Sequence, residues 1–250
     1  MSKFAGFFVT GTDTEVGKTL VSGALIVKLR EQQINAIGFK PVVAGTYKDA
    51  QGRTLNEDLE TLRIASNLDS NEFNLCPYVL NQPAAPHLVA EKQGLKLEMS
   101  VMTNAFQNIQ KHADCVVVEG AGGLLIPLNN DEDLSGFAKK IDLPIILVVG
   151  MKLGCLNHAL LTHEAIKARN LRFAGWIANT LAEEMPLLQE NLQTLKARIE
   201  SPFLGLVPSL PKELQKATDS PYSVEALQFA AKHIQLPLSL IHISEPTRPY

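Results

Sequence analysis

Short, uniformly apolar runs, separated by longer segments in which apolar residues recur every three or four positions, set the tightest limit on how this chain folds. The short runs are residues 6–10, 36–42, 115–119, 145–149, 173–178 and 203–207, with a weaker one at 78–80. None alternates apolar with polar side chains, so none is a strand with one wet face, and both faces must be covered. The longer segments, 18–32, 57–66, 99–112, 157–169, 187–199 and 223–233, have helical periodicity and supply the cover. The pattern predicts one α/β domain over residues 1–237: a doubly wound, mostly parallel sheet of about seven strands with helices on both faces. No Gly-, Ser- or Pro-rich linker and no repeat divides it.

Charge and cysteine content narrow the function classes. Twenty-three Lys and Arg against 26 Asp and Glu give a net charge of −3, so no basic excess points to nucleic acid or an anionic membrane. Any phosphate binding has to be local. No apolar run reaches membrane-spanning length, and Met1-Ser2-Lys3-Phe4 leads straight into a strand-like segment without the pattern of a signal peptide, so a cytoplasmic protein is expected. Cys76, Cys115 and Cys155 have no CxxC spacing and are expected to be reduced, buried thiols. The last residues, 238–250, are similar to the in-frame translation of a transposase adapter used in DNA sequencing libraries, and we set them apart from the fold as a suspected non-native tail.

The first strand, Phe7-Phe8-Val9-Thr10, runs directly into Gly11-Thr-Asp-Thr-Glu-Val-Gly17-Lys18-Thr19, and a helical segment of amphipathic character follows. Such a loop is a phosphate cradle. Backbone N–H groups curl round a phosphate at a helix N-terminus, a lysine bridges terminal phosphate oxygens, and the Thr hydroxyl meets Mg²⁺. Five residues separate Gly11 from Gly17, one more than the strict G-x4-GK[ST] motif allows. A lysine in the first turn of a helix opposes the helix dipole, an objection that a bound polyphosphate removes. The fold expected is therefore P-loop NTPase-like.

A phosphate loop calls for an acid at the end of another buried strand. Asp114-Cys-Val-Val-Val-Glu119 supplies it, and Gly120, Gly122 and Gly123 after it permit close backbone approach. In Ala36-Ile-Gly-Phe-Lys40-Pro41-Val42 a lysine stands beside a proline that cannot donate to a ladder, so the strand ends or bulges there and turns Lys40 toward the crevice. Lys40 is a second cation suited to a transferring phosphoryl group or an anionic substrate. Asn56-Glu57-Asp58 reads on its own as a helix start, with a second metal carboxylate as the alternative.

Together with Pro86-His87, the stretch from Val148 to Ala159, Ala174-Gly-Trp-Ile-Ala-Asn179 and Leu204-Gly-Leu-Val-Pro208, these segments resemble the dethiobiotin synthetase family over residues 1 to about 210. The resemblance implies a ligase of biotin biosynthesis that turns 7,8-diaminononanoate, CO₂ and ATP into dethiobiotin, ADP and phosphate, by way of a carbamate and its phosphorylated form. It implies Lys40, Lys18 and Thr14 as catalytic residues, with Lys40 and Thr14 also touching the substrate. Residues Glu15, Val16, Gly17, Lys18, Thr19 and Leu20 would wrap the ATP phosphates, Glu119, Gly120, Ala121 and Gly122 would lie beside them, and Thr19, Asp58 and Glu119 would bind Mg²⁺. Asn179, Thr180, Pro208, Ser209 and Leu210 would hold the base. It further implies a homodimer in which Gly154, Cys155, Leu156 and Asn157 start a helix that meets the substrate carboxylate of the other subunit. One departure is Ala44, where the family often has Ser; one hydrogen bond to the diamine is lost there, and Thr46 is the nearest hydroxyl to replace it.

Two other classes share the loop type. Nucleotide-switched ATPases of the partition and cell-division kind carry an early lysine in K-G-G-x-G-K-[ST], where this chain has Asp13 and then Thr14-Glu15 in place of the glycines. Amide-forming ligases acting on corrinoids add a glutaminase-like domain, for which the chain has no room.

Overall fold

A computed structural model of the chain describes residues 5–69, 72–181 and 185–237, so the suspected tail lies outside the described residues. Strand β1 (Ala5–Gly11) feeds helix α1 (Lys18–Glu31). There follow β2 (Ala36–Phe39), β3 (Val42–Ala44), the small antiparallel pair β4 (Tyr47–Lys48) and β5 (Thr54–Leu55), α2 (Glu57–Ser66), β6 (Tyr78–Leu80), α3 (Pro86–Lys92), α4 (Met99–Gln110) and β7 (Cys115–Glu119). The second half runs α5 (Leu134–Ile141), β8 (Ile145–Met151), α6 (Cys155–Ala168), β9 (Phe173–Thr180), α7 (Leu188–Arg198), β10 (Phe203–Val207), a 3₁₀ turn at Lys212–Leu214 and α8 (Val224–Ala231).

The central sheet has six strands in the order β10-β9-β8-β1-β7-β2, every neighbouring pair parallel. The expected α/β architecture is present with one strand fewer than the seven anticipated. The seventh candidate, residues 78–80, pairs instead with β3 in a separate parallel ladder. Lys40-Pro41 is the cause. The run expected as one strand, 36–42, breaks at this pair into β2 and β3, because Pro41 offers no N–H and the Lys40 N–H has turned aside to donate to Leu75 O at 2.9 Å. Lys40 is thus placed where an edge strand ends, as the sequence suggested.

From β1 in the middle, the chain goes out to β2 at one edge, returns through β7, and then crosses to β8 and the opposite edge. The connections diverge at the carboxyl end of β1, which makes that end the ligand crevice of a doubly wound sheet. Side chains of β1 divide between the two faces. Phe7 and Val9 pack with α1, α2 and α8, while Phe8 faces α5, its ring edge-on to Phe137 with centroids 6.3 Å apart. A third group, with Trp176, Leu147 and Val149 at its centre, lies under α6 and α7.

Helix α1 departs from the amphipathic expectation: Leu20 to Val27 and Leu29 are all buried, because the helix is enclosed by the sheet, α2 and α8. Gly23 permits that enclosure, since a Cβ there would sit 2.6 Å from Leu227 Cδ2 on α8. Two short helices, α3 and α5, have too few turns to show as periodicity; α5 announces itself only by Asp133, whose Oδ1 accepts from the Gly136 N–H at 3.0 Å. All three cysteines are free and buried. Among the described residues no helix is long and apolar enough to cross a membrane.

Candidate active site

The loop leaving β1 bends at two left-handed residues, Glu15 (φ 59°) and Gly17 (φ 89°). Gly17 caps α1, and a Cβ there would fall 2.1 Å from Asn179 Nδ2, so backbone geometry and lack of space both demand glycine. Asn179, at the end of β9, in turn donates from Nδ2 to Val16 O at 3.0 Å, which pins the loop from below; its Oδ1 is buried with no hydrogen-bond partner. Lys18 is buried and folds back over the loop to donate to Asp13 O at 2.8 Å. Burial, followed by the neighbouring Lys40 charge, lowers its pKa to about 8 although Glu119 and Asp58 pull the other way.

Four polar side chains from four separate stretches of the chain meet beside it. Lys40 Nζ lies 2.5 Å from Glu119 Oε1 and 2.8 Å from Asp58 Oδ2. Thr19 Oγ1 is 2.7 Å from Asp58 Oδ1 and 2.8 Å from Glu119 Oε1, so its single proton serves one carboxylate at a time. Each is delivered by local structure: Thr19 by the first turn of α1, Lys40 by the Pro41 break, Glu119 by the last residue of β7, and Asp58 by a helix that starts where Asn56 Oδ1 accepts from the Asp58 and Leu59 N–H groups. Burial works against the Lys40 charge, but the two carboxylates outweigh it and hold the ammonium protonated beyond the usual lysine range. For Asp58 burial is again opposed by Lys40, and its carboxyl is held low; for the fully buried Glu119, burial wins and pushes the carboxyl up. Glu119 Oε2 has no hydrogen-bond partner. One hydroxyl and two carboxylates, one of them with an unsatisfied buried oxygen, form a hard-oxygen set that fits Mg²⁺, an ion that keeps waters and phosphate oxygens and takes few protein ligands. Among the described residues no group of three His, Cys, Asp or Glu side chains offers a fuller cage.

These groups line a cleft of ≈ 990 Å³. Thr14, Glu15, Gly17, Lys18, Thr19, Leu20, Lys40, Ala44, Asp58, Glu119, Ala121, Gly122, Asn179, Thr180, Pro208, Ser209 and Leu210, all anticipated from sequence, line it. Two residues anticipated around the phosphates do not. Val16 turns inward to pack on Gly150, which offers a hydrogen in place of a Cβ, and Gly120 sits against the Phe8 ring with its N–H donating to Val9 O at 2.9 Å. Gly154, Cys155, Leu156 and Asn157, at the start of α6, are outside this chain's own cleft, as is Thr46. His87 lines the apolar end near Val43, Ala44 and Pro83. Glu57, marked in sequence only as part of a helix start, also lines the cleft; Lys216 and Tyr222 line it without having been anticipated, because no motif marks them and they reach it only by the return of the chain after β10.

A family model described as an AAA domain matches residues 5–217. The chain is 47% identical over 205 residues to the ATP-dependent dethiobiotin synthetase BioD of Ralstonia nicotianae, covering 82% of this chain and 89% of that protein. It is 46% identical over 208 residues to the protein of the same name from Aromatoleum aromaticum, covering 83% and 92%, and 40% identical over 221 residues to that of Vibrio parahaemolyticus, covering 88% and 96%. Among solved structures, the MinC:MinD cell division protein complex of Aquifex aeolicus superimposes with a TM-score of 0.54 at 14% identity, over 98% of this chain and 99% of that one. MinD of the same organism gives 0.51 at 12%, over 98% and 100%. At such identities the likeness is one of fold.

Proposed function

The chain belongs to the dethiobiotin synthetase family, and from that premise we propose that it is a cytoplasmic ATP-dependent ligase that closes the ureido ring of dethiobiotin from 7,8-diaminononanoate, CO₂ and ATP, with ADP and phosphate as by-products. The observation that carries the proposal is the Lys40 ammonium, buried and kept charged within one cleft beside Lys18 and the phosphate loop.

The chemistry asks for charge neutralisation more than for a strong base. An amine nitrogen of the diamine bonds to the carbon of CO₂ and loses a proton, giving a carbamate anion. A carbamate oxygen then attacks the γ-phosphorus of ATP, and the bond to ADP breaks. The second amine attacks the carbamate carbon and gives up a proton, the bond from that carbon to the phosphate oxygen breaks, phosphate leaves, and the ring is closed. In the middle step two anions must approach, so cations held in place contribute most. Lys40 is the group for the carbamate oxygen and Lys18 for the γ-phosphate, while N–H groups of residues 15–20 hold the phosphates at the start of α1. Thr19, Asp58 and Glu119 would hold Mg²⁺, which would supply positive charge to the polyphosphate. Asn179 Oδ1, without a partner of its own, is an acceptor for the adenine amino group, with Thr180 and residues 208–210 around the base. Thr14 and Ala44 border the diamine.

Gly154, Cys155, Leu156 and Asn157 serve, in this reading, the cleft of a second copy. The absence of all four from the lining of the chain's own cleft and the 97% exposure of Leu153 beside them support a homodimer with shared sites, in which the N-terminal end of α6 receives the substrate carboxylate. The switch-ATPase class has the same fold but needs a lysine where this loop carries Asp13.

Mass-spectrometric detection of dethiobiotin from the diamine, bicarbonate and ATP tests the proposal, with Lys40→Gln as the control. Product from the native chain and its loss in the variant are expected. ATP hydrolysis that ignores the diamine would overturn it.

A further inference from the structure

The first turn of α2 carries three carboxylates, and each has a cation beside it. Asp58 has Lys40, Glu60 has Arg63 one turn on, and Glu57 Oε2 lies 2.5 Å from Lys216 Nζ. Acids at a helix start are favoured by the helix dipole. This helix start, however, opens onto a cleft lined by the phosphate loop, and both Glu57 and Lys216 line that cleft. An unpaired carboxylate there would face an incoming polyphosphate.

Lys216 comes from the segment that follows the base-proximal residues 208–210 and crosses back onto α2. The Tyr222 N–H fastens the crossing to α2 by donating to Thr61 Oγ1 at 3.1 Å, and within the segment Gln215 Nε2 donates to Leu210 O at 3.0 Å while the Lys216 ammonium stands 5.7 Å from the centre of the Tyr222 ring. Lys216 and Glu57 side chains are 24% and 38% exposed, so solvent screens the pair only in part.

We propose that Lys216 is a positioning residue for the nucleotide: it cancels the Glu57 charge on the cleft wall, so that the acidic start of α2 accepts a polyphosphate. The proposal rests on the cleft taking ATP, as read above, and not on the reaction that follows. It differs from a mechanical strap in one respect. Loss of charge cancellation penalises a ligand in proportion to its phosphates, whereas loss of a strap penalises all ligands alike.

Calorimetric titration of the full chain with adenosine, ADP and ATP, each in Mg²⁺ buffer, makes the distinction and needs no diamine. Lys216→Gln should weaken ATP about five-fold, ADP less, and adenosine not at all. Glu57→Gln alone should bind ATP at least as tightly as the native chain, and Glu57→Gln with Lys216→Gln should return to within about two-fold of it. The Lys216→Gln loss should shrink at high salt. Equal losses for all three ligands, no loss for ATP, or a double variant as weak as Lys216→Gln would overturn the proposal. Native chain that binds ATP yet forms no dethiobiotin would overturn the function proposed above and leave this inference standing.

Discussion

Oε1 of Glu119 lies 2.5 Å from the Lys40 ammonium, while Oε2 of the same fully buried carboxylate meets no hydrogen-bond partner. The pair is therefore held by one contact on the lysine side and leaves capacity for a cation on the other. Lys40→Met strands a buried carboxylate and should lower the unfolding free energy by about 3 kcal/mol in Mg²⁺-free urea titrations. Millimolar Mg²⁺ with ADP should restore part of the loss, and so should adding Glu119→Gln. An unchanged urea midpoint for Lys40→Met would show that the pair contributes nothing to stability.

Lys18 gives a pH signature of known sign. Its pKa is about 8 in the folded chain against an ordinary 10.5, so the unfolded chain holds more protons between those values. Its contribution to stability therefore rises with pH across that window, and Lys18→Met should remove the rise. A bound phosphate favours the ammonium, so ATP binding at pH 8 should take up about half a proton. Calorimetry in buffers of different ionisation enthalpy measures the uptake, which should vanish in Lys18→Met.

Gly17→Ala asks a left-handed residue to carry a Cβ 2.1 Å from Asn179 Nδ2. The backbone alone costs about 1–2 kcal/mol, and displacement of Asn179 adds to it. Nucleotide titration should show no saturation at millimolar ATP, and urea denaturation should report the lost stability.

Ala44→Ser restores a hydroxyl at a cleft-lining position, and Thr46 does not reach the cleft to replace it. One added hydrogen bond of about 0.5–1.5 kcal/mol should lower the KM for diaminononanoate by roughly 2- to 10-fold with kcat little changed. An unchanged KM would remove Ala44 from the diamine site.

Legibility in the sequence followed how locally each feature is encoded. β7 and β10 run over the same residues as their apolar segments, and α2 over its expected span because Asn56 caps it with two hydrogen bonds. The break at Lys40-Pro41 was foreseeable from the missing proline N–H; that it would send β3 to pair with β6 was not, since this depends on where residues 78–80 come to rest. Thr19, Lys40 and Glu119 each sit at the end of an element that names them. Asp58 reads from its neighbours mainly as part of a helix start, and only the family resemblance singles it out as a metal carboxylate, whereas Lys216 has no local mark at all, because its partner Glu57 is most of the chain away.

β1 is the earliest strand of the sheet, yet its two neighbours are β7 and β8: Ala5 pairs with Cys115, and Phe8 with Ile145. A growing chain therefore carries a finished phosphate-loop sequence for most of its synthesis with nothing to hold it in shape, and closing these large loops is the slow step expected of such long-range parallel pairing. Nucleotide affinity should consequently appear late and all at once during refolding, when the middle of the sheet closes, which makes ATP binding a gauge of completed folding as well as of the site.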